Sequence, residues 1–171
     1  MDGSSSNLFA IDNQRVDVAF LADTSTSLDC DAMKLWSERV ILTVPKEHKL
    51  AKIDEVRWND LLDQTLLETD RSGNEELGLR IRMRFEEAGR YPHVRSHSIG
   101  QESLISLVAM GWGLTLVAEA MTALHVPGIV YRPMVDEAVT FSAVWLRENS
   151  NPALRHLLAM ARAMSAVHAA R

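Results

Sequence analysis

Only one cysteine, Cys30, stands in 171 residues, which excludes an internal disulfide and suits a reducing compartment. With 8 glycines, 5 prolines, 47% hydrophobic and 24% charged residues, the chain is neither low-complexity nor fibrous; it reads as a soluble globular protein. The longest apolar run, Leu107 to Ala118, is too short and too broken by glycine to span a bilayer. Met1–Gln14 has neither a basic start nor an apolar core of signal-peptide length, so no membrane association is expected and the cytoplasm is the expected compartment. A basic excess is missing as well. The net charge of −5 opposes independent binding to DNA, because Lys and Arg contacts to phosphate supply most non-specific affinity.

The usual patterns of catalysis are also missing. The six histidines form no HExxH motif, and His93 with His97 share one face of an extended segment without a third ligand. Asp29 and Asp31 flank Cys30 and disfavour a thiolate. Gly111–Trp112–Gly113 precedes a strand instead of joining strand to helix, so it is not a dinucleotide fingerprint; Trp112 reads as packing. No Gly-x-Ser-x-Gly elbow occurs. Glu75–Glu76 and Glu86–Glu87 are adjacent on a helix and diverge, the wrong geometry for shared acid–base work. An enzyme is therefore not expected, and neither is a metal or a cofactor.

What is present is an alternation of short apolar strands and helical patterns, the signature of an α/β fold with a mostly parallel sheet. Strands are expected at residues 16–20, 39–45, 65–69, 93–98, 114–117, 129–132 and 140–147. Helices are expected at 58–62, 74–88, 101–110, 119–124 and 152–168. The helix at 74–88 carries Leu77, Ile81 and Phe85 on one face, and its charges, Arg80, Arg82, Arg84, Glu86 and Glu87, read as a solvated face. The last helix places Leu154, Leu157, Leu158, Ala161 and Met164 on one stripe.

The most informative segment is Gln101–Glu119, QESLISLVAMGWGLTLVAE. It joins a helix entry, an apolar face (Leu104, Ile105, Leu107, Val108, Met110), a glycine stop and the short buried strand that begins at Leu114. A helix N-terminus beside the carboxyl end of a strand is a common seat for small anions in α/β proteins.

This segment resembles the effector-binding domain of LysR-type transcriptional regulators. Arg15–Phe20 (RVDVAF), Trp36–Ala51 (WSERVILTVPKEHKLA) and Val126–Pro133 (VPGIVYRP) are similar to further family motifs, in the right order, as is Asn151–Leu154 to the start of its last helix. Lys49 and Ala118 stand where the family usually has proline. The resemblance implies a two-lobed, periplasmic-binding-protein-like fold with the lobes joined by two crossing strands. The first lobe, residues 1–52 plus 134–171, is expected to be incomplete, and the second, 53–133, complete. The family's winged helix-turn-helix and first strand–helix–strand unit precede the matched region. Leu8–Ile11 reads as the end of a helix and Met1–Ser6 as a polar leader. The strand at 16–20 is then an open edge through which the chain is expected to form a homo-oligomer.

The resemblance further implies a small-molecule effector, often a carboxylate or aromatic acid. Matching positions are Thr69 and Asp70, Ser98, Ile99, Gly100 and Gln101, and Leu21 to Thr24, with Leu21 and Ala22 the nearest to the strand. Ser98 can donate a hydroxyl, Gly100 admits close backbone approach, and Gln101 offers a donor and an acceptor. Helix capping by Ser98 and turn chemistry at Thr69–Asp70 are the competing roles. An inward Asp70 would repel an anion. A fragment that pairs with other chains without binding effector is the alternative function, and a free-standing solute receptor a third.

Overall fold

The computed structural model of the chain describes residues 3–22, 29–70, 75–87, 89–90 and 93–169, with the backbone alone for residues 3–7, 75–77, 79 and 167–169. The chain divides into two compact units: Met1–Ser37 with Val139–Arg171, and Glu38–Ala138. The passages are made by two long neighbouring strands, β2 (Cys30–Pro45) and β6 (Ile129–Leu146), each continuous across a unit boundary. The boundaries fall at 37/38 and 138/139, whereas the resemblance implies divisions at 52 and 133.

In the first unit, α1 (Gly3–Asp12) leads into β1 (Ala19–Ala22), and α4 (Pro152–Ala169) closes the chain. The expected leader is thus helical from Gly3 onward. The strand expected at 16–20 starts later because the end of α1 keeps hold of the intervening backbone. Arg15 and Val16 N–H donate to the Ala10 carbonyl, and Gln14 turns through a left-handed φ of 54°. β1 pairs antiparallel with β6, Ala19 opposite Val144 and Ala22 opposite Phe141. Ile11, Leu21, Cys30 and Val144 form the core against which Leu8, Ala19 and Leu146 pack. Trp36 stacks on Phe141 with ring centroids 5.1 Å apart. On α4 the expected apolar stripe is split: Leu154 is buried and Leu158 and Ala161 half-buried, but Leu157 and Met164 face solvent.

In the second unit, β3 (Thr65–Thr69) and β4 (His93–His97) pair in parallel, and β5 (Thr115–Ala118) pairs antiparallel with β2 from Val40 to Thr43. The strands form two sheets rather than one mostly parallel sheet: in the four-stranded sheet, order β1-β6-β2-β5, the β1–β6 and β2–β5 pairs are antiparallel, and parallel pairing is seen in the two-stranded sheet β3–β4 and in the bridges Val56–Met134 and Leu66–Leu114. Alternating strands and helices in sequence report crossovers, but they do not reveal that the crossing strands return beside distant partners. Two strands are also longer than expected. β2 begins at Cys30, where charged and apolar residues mix irregularly. β6 runs unbroken from 129 to 146, because Pro133 still accepts from Val56 N–H and Val135 N–H donates back to Val56.

Helix α3 (Gln101–Ala109) buries Leu104, Ile105 and Val108. Ile105 packs with Ile41 and Val117, while Leu104 and Val108 pack with Leu67. Each such side chain contributes about 1.5–3 kcal/mol by leaving water. Met110 and Trp112, expected on that apolar face and in packing respectively, are instead exposed: Met110 is the C-cap of the helix, and Gly111 turns the chain at φ 79° before Trp112. Gly113 has a packing reason to be glycine, since a Cβ there would lie 2.7 Å from the Thr65 carbonyl oxygen.

Candidate ligand-binding corner of the second unit

Parallel strands β3 and β4 end side by side, and α3 starts after three intervening residues beyond β4. Thr69, Ser98, Ile99, Gly100 and Gln101 are thereby brought into one corner. Gly100 is the N-cap, with extended backbone (φ −70°, ψ 160°) and no side-chain cap. The first helical bond runs from Leu104 N–H to the Gly100 carbonyl, so the amides before it point out of the helix end, where the macrodipole favours negative charge.

Hydrogen bonds order the corner. Thr69 Oγ1 donates to the Ile99 carbonyl at 2.6 Å, and Asp70 N–H donates to the His97 carbonyl at 3.2 Å. Ser98 Oγ donates to Asp70 Oδ2 at 2.7 Å, so Ser98 does not cap the helix. Gln101 Nε2 reaches the Leu116 carbonyl of β5 at 3.3 Å, and Thr115 Oγ1 donates to the Leu67 carbonyl at 2.9 Å. The Thr69 and Ser98 hydroxyl protons are thus committed internally. At the helix entry stands Gly100, beside which a Cβ would meet nothing within 4 Å. Asp70 is exposed, with the Ser98 hydroxyl directed at it.

The other expected site residues belong to the first unit. Leu21 is buried in the Ile11–Cys30–Val144 cluster, so its side chain is committed to the core; Ala22 is half-buried at the end of β1. Asp23 and Thr24 lie outside the described residues, as do residues 71–74.

A depression of about 740 Å³ in the first unit has no counterpart in the sequence reading. Asp17, Asp29, Arg147, Asn149 and Asn151 line it. Two of its polar groups are joined, Asn149 Nδ2 donating to Asp17 Oδ1 at 2.8 Å, and Arg147 pairs at 3.1 Å with Asp31 outside the lining. Hydrogen bonds from Asn149 and Asn151 hold the Asp17 carboxyl below its usual range. It is a knitted polar corner.

The sequence reading also missed Glu137, which lies only 6% exposed. It accepts from Trp58 Nε1 at 2.7 Å, Arg80 Nη1 at 2.8 Å and Arg84 Nη2 at 2.8 Å. Arg80 and Arg84 stand on helix α2 (Glu75–Glu87), so its charges are not simply a solvated face. Burial pushes the Glu137 carboxyl up, but the donors Trp58 and Arg80 and the charges of Arg84 and Arg80 outweigh it, leaving the group below the usual glutamate value. The available signal was the i,i+4 spacing of Arg80 and Arg84.

No helix among the described residues is long and apolar enough to cross a membrane, and no cluster of metal-ligating side chains occurs among them. Comparison with known proteins places these features in a family. Among curated proteins the chain is 25% identical over 126 residues to the HTH-type transcriptional regulator AlsR of Bacillus subtilis, covering 71% of this chain and 41% of that protein. It is 23% identical over 147 residues to the Hca operon transcriptional activator HcaR of Escherichia coli, covering 85% and 50%. The chain thus spans half or less of the length of these regulators. In fold it matches the BenM effector binding domain with its effector benzoate (TM-score 0.82, 21% identity, 98% of this chain and 77% of that one). It also matches the effector binding domain of QuiR in complex with shikimate (TM-score 0.80, 17% identity, 97% and 79%). The LysR substrate binding domain model covers residues 2–166, and the chain belongs to that family.

Proposed function

We propose that the chain senses a small carboxylate, aromatic or alicyclic, at the N-terminus of α3, within a cytoplasmic LysR-type transcriptional regulator whose DNA contacts lie outside this chain. One observation carries this reading: the corner Thr69–Ser98–Ile99–Gly100 is ordered by its own hydrogen bonds, and its helix begins at a Cβ-free residue with open space beside it. Backbone amides at a helix end recognise carboxylates without needing a basic side chain. The benzoate and shikimate in the two similar structures are acids of this kind. The chain works as a sensor, not an enzyme.

Thermal unfolding with a panel of acids that includes benzoate and shikimate tests the reading. A true effector at a hundred times its Kd stabilises the fold by about 2.7 kcal/mol. Gly100→Asp keeps the fold, because the site is open and Asp is a good N-cap, yet places a carboxylate where the ligand's would sit. The expected result is a shift in the wild type that the variant loses; a panel without effect, or a shift that Gly100→Asp retains, overturns the site.

We also propose self-association through β1. This strand stands at the edge of its sheet and Phe20 on it is 46% exposed, an arrangement that invites pairing with another chain. Sedimentation that stays monomeric at high concentration removes this second reading.

A further inference from the structure

We propose that Glu137 is a positioning residue for the effector response: it ties α2 to β6 immediately before that strand leaves the second unit. This rests on the sensing reading above. Glu137 is followed by Ala138, the last residue of the unit, and Arg80 Nη1 donates both to Glu137 Oε2 and, at 2.9 Å, to the Ala138 carbonyl. The preceding residue, Asp136, is held at φ 54°, a left-handed conformation that a non-glycine residue keeps only where its surroundings enforce it. Three donors on a buried carboxylate are such an enforcement.

The same helix grips the ligand corner with its other side. Arg82 lies between Arg80 and Arg84 in sequence and therefore across the helix from them. Its Nη1 donates to Glu68 Oε1 at 3.3 Å, and Ser96 Oγ of β4 donates to the same atom at 2.7 Å. Gly78 brings the α2 backbone so near that a Cβ would lie 2.8 Å from Glu68 Oε2. Glu68 precedes Thr69, the end of β3 in the proposed site. α2 is thus fastened at one face to the strand that leads to the ligand corner, and at the other to the strand that leads out of the unit. A shift at the end of β3 moves α2, and through Arg80 and Arg84 it alters the hold on β6.

Hydrogen exchange by mass spectrometry on the full chain, without ligand, tests this. Glu137→Gln is expected to speed exchange at residues 136–142 by about tenfold or more, and Arg84→Met, a change at a partly exposed side chain that leaves folding intact, by about threefold, with α3 and β5 unchanged. Glu68→Gln, remote in sequence, is expected to speed the same residues by about threefold. Wild-type exchange at 136–142 in both Glu137→Gln and Arg84→Met, or equal acceleration across the whole unit, overturns the proposal, the latter because it marks an ordinary core residue. Normal exchange there in Glu68→Gln removes the link to the ligand corner. Because no ligand is added, these failures leave the sensing reading standing, whereas an inert acid panel with the exchange pattern intact removes sensing alone.

Discussion

The two units differ in what they leave uncovered. Among the described residues the first exposes Phe9, Val16, Phe20, Leu157, Met160 and Met164, while the second, although longer, exposes only Met83, Met110 and Trp112 among its large apolar side chains. Among the described residues the second unit closes two apolar clusters around α3 and satisfies a buried carboxylate. Among the described residues the first closes a cluster around Ile11 and shows solvent an apolar side of α4, with Leu157, Met160 and Met164 three and four residues apart. Contiguous apolar surface on a soluble domain marks a place of contact. On the proposed reading, one region holds a small ligand by itself and the other meets a partner.

The largest test of that contrast is truncation of matched leucines. Leu104→Ala in α3, at a fully buried position, is expected to cost about 3 kcal/mol in urea unfolding, whereas Leu157→Ala on α4 changes stability by less than about 1 kcal/mol. Equal losses would break the comparison. Next comes Glu137→Gln, expected to cost about 2–3 kcal/mol, less than a fully buried pair because Arg84 is partly exposed. Its sign with pH is fixed: a carboxyl held below its unfolded value near 4.5 contributes stability above that pH and loses it as the pH falls through the lower folded value. Acid unfolding curves of wild type and variant should accordingly converge at low pH.

Gly113→Ala is expected to cost about 1–3 kcal/mol, since the Thr65 carbonyl must move aside; an unchanged melting temperature would show that β3 has slack. Smallest in stability, within about 0.5 kcal/mol, are Phe20→Lys and Met164→Lys. Their effect belongs in sedimentation, where Phe20→Lys should shift the chain toward monomer. If neither substitution alters association, the uncovered side of the first unit meets something other than a second copy.

Much of the second unit was legible in sequence because its elements are short, periodic and punctuated. α3 ends at its glycine as read, and β3, β4 and β5 lie within a residue of expectation. The corner at Thr69 and Ser98–Gln101 follows from the same local order, although the hydrogen bonds that consume the Thr69 and Ser98 protons do not, for they join residues 28 to 30 apart. Leu21 was placed beside the ligand by its position after a strand, yet side-chain alternation turns it into the core. The reach of β2 and β6 was hidden because polar residues interrupt both, and their partners are distant in the chain. Glu137 was missed for the same reason: Arg80 and Arg84 lie more than fifty residues away, and their i,i+4 spacing marks a shared helix face without naming the carboxylate that meets it.

Cys30 is the sole thiol in the chain, and it is 4% exposed, set in the cluster that joins α1, β1 and β6. A chromogenic disulfide reagent can reach it only when that cluster opens, so its rate of modification is a built-in clock for breathing of the first unit. Labels added elsewhere for spectroscopy would meet almost no competing background.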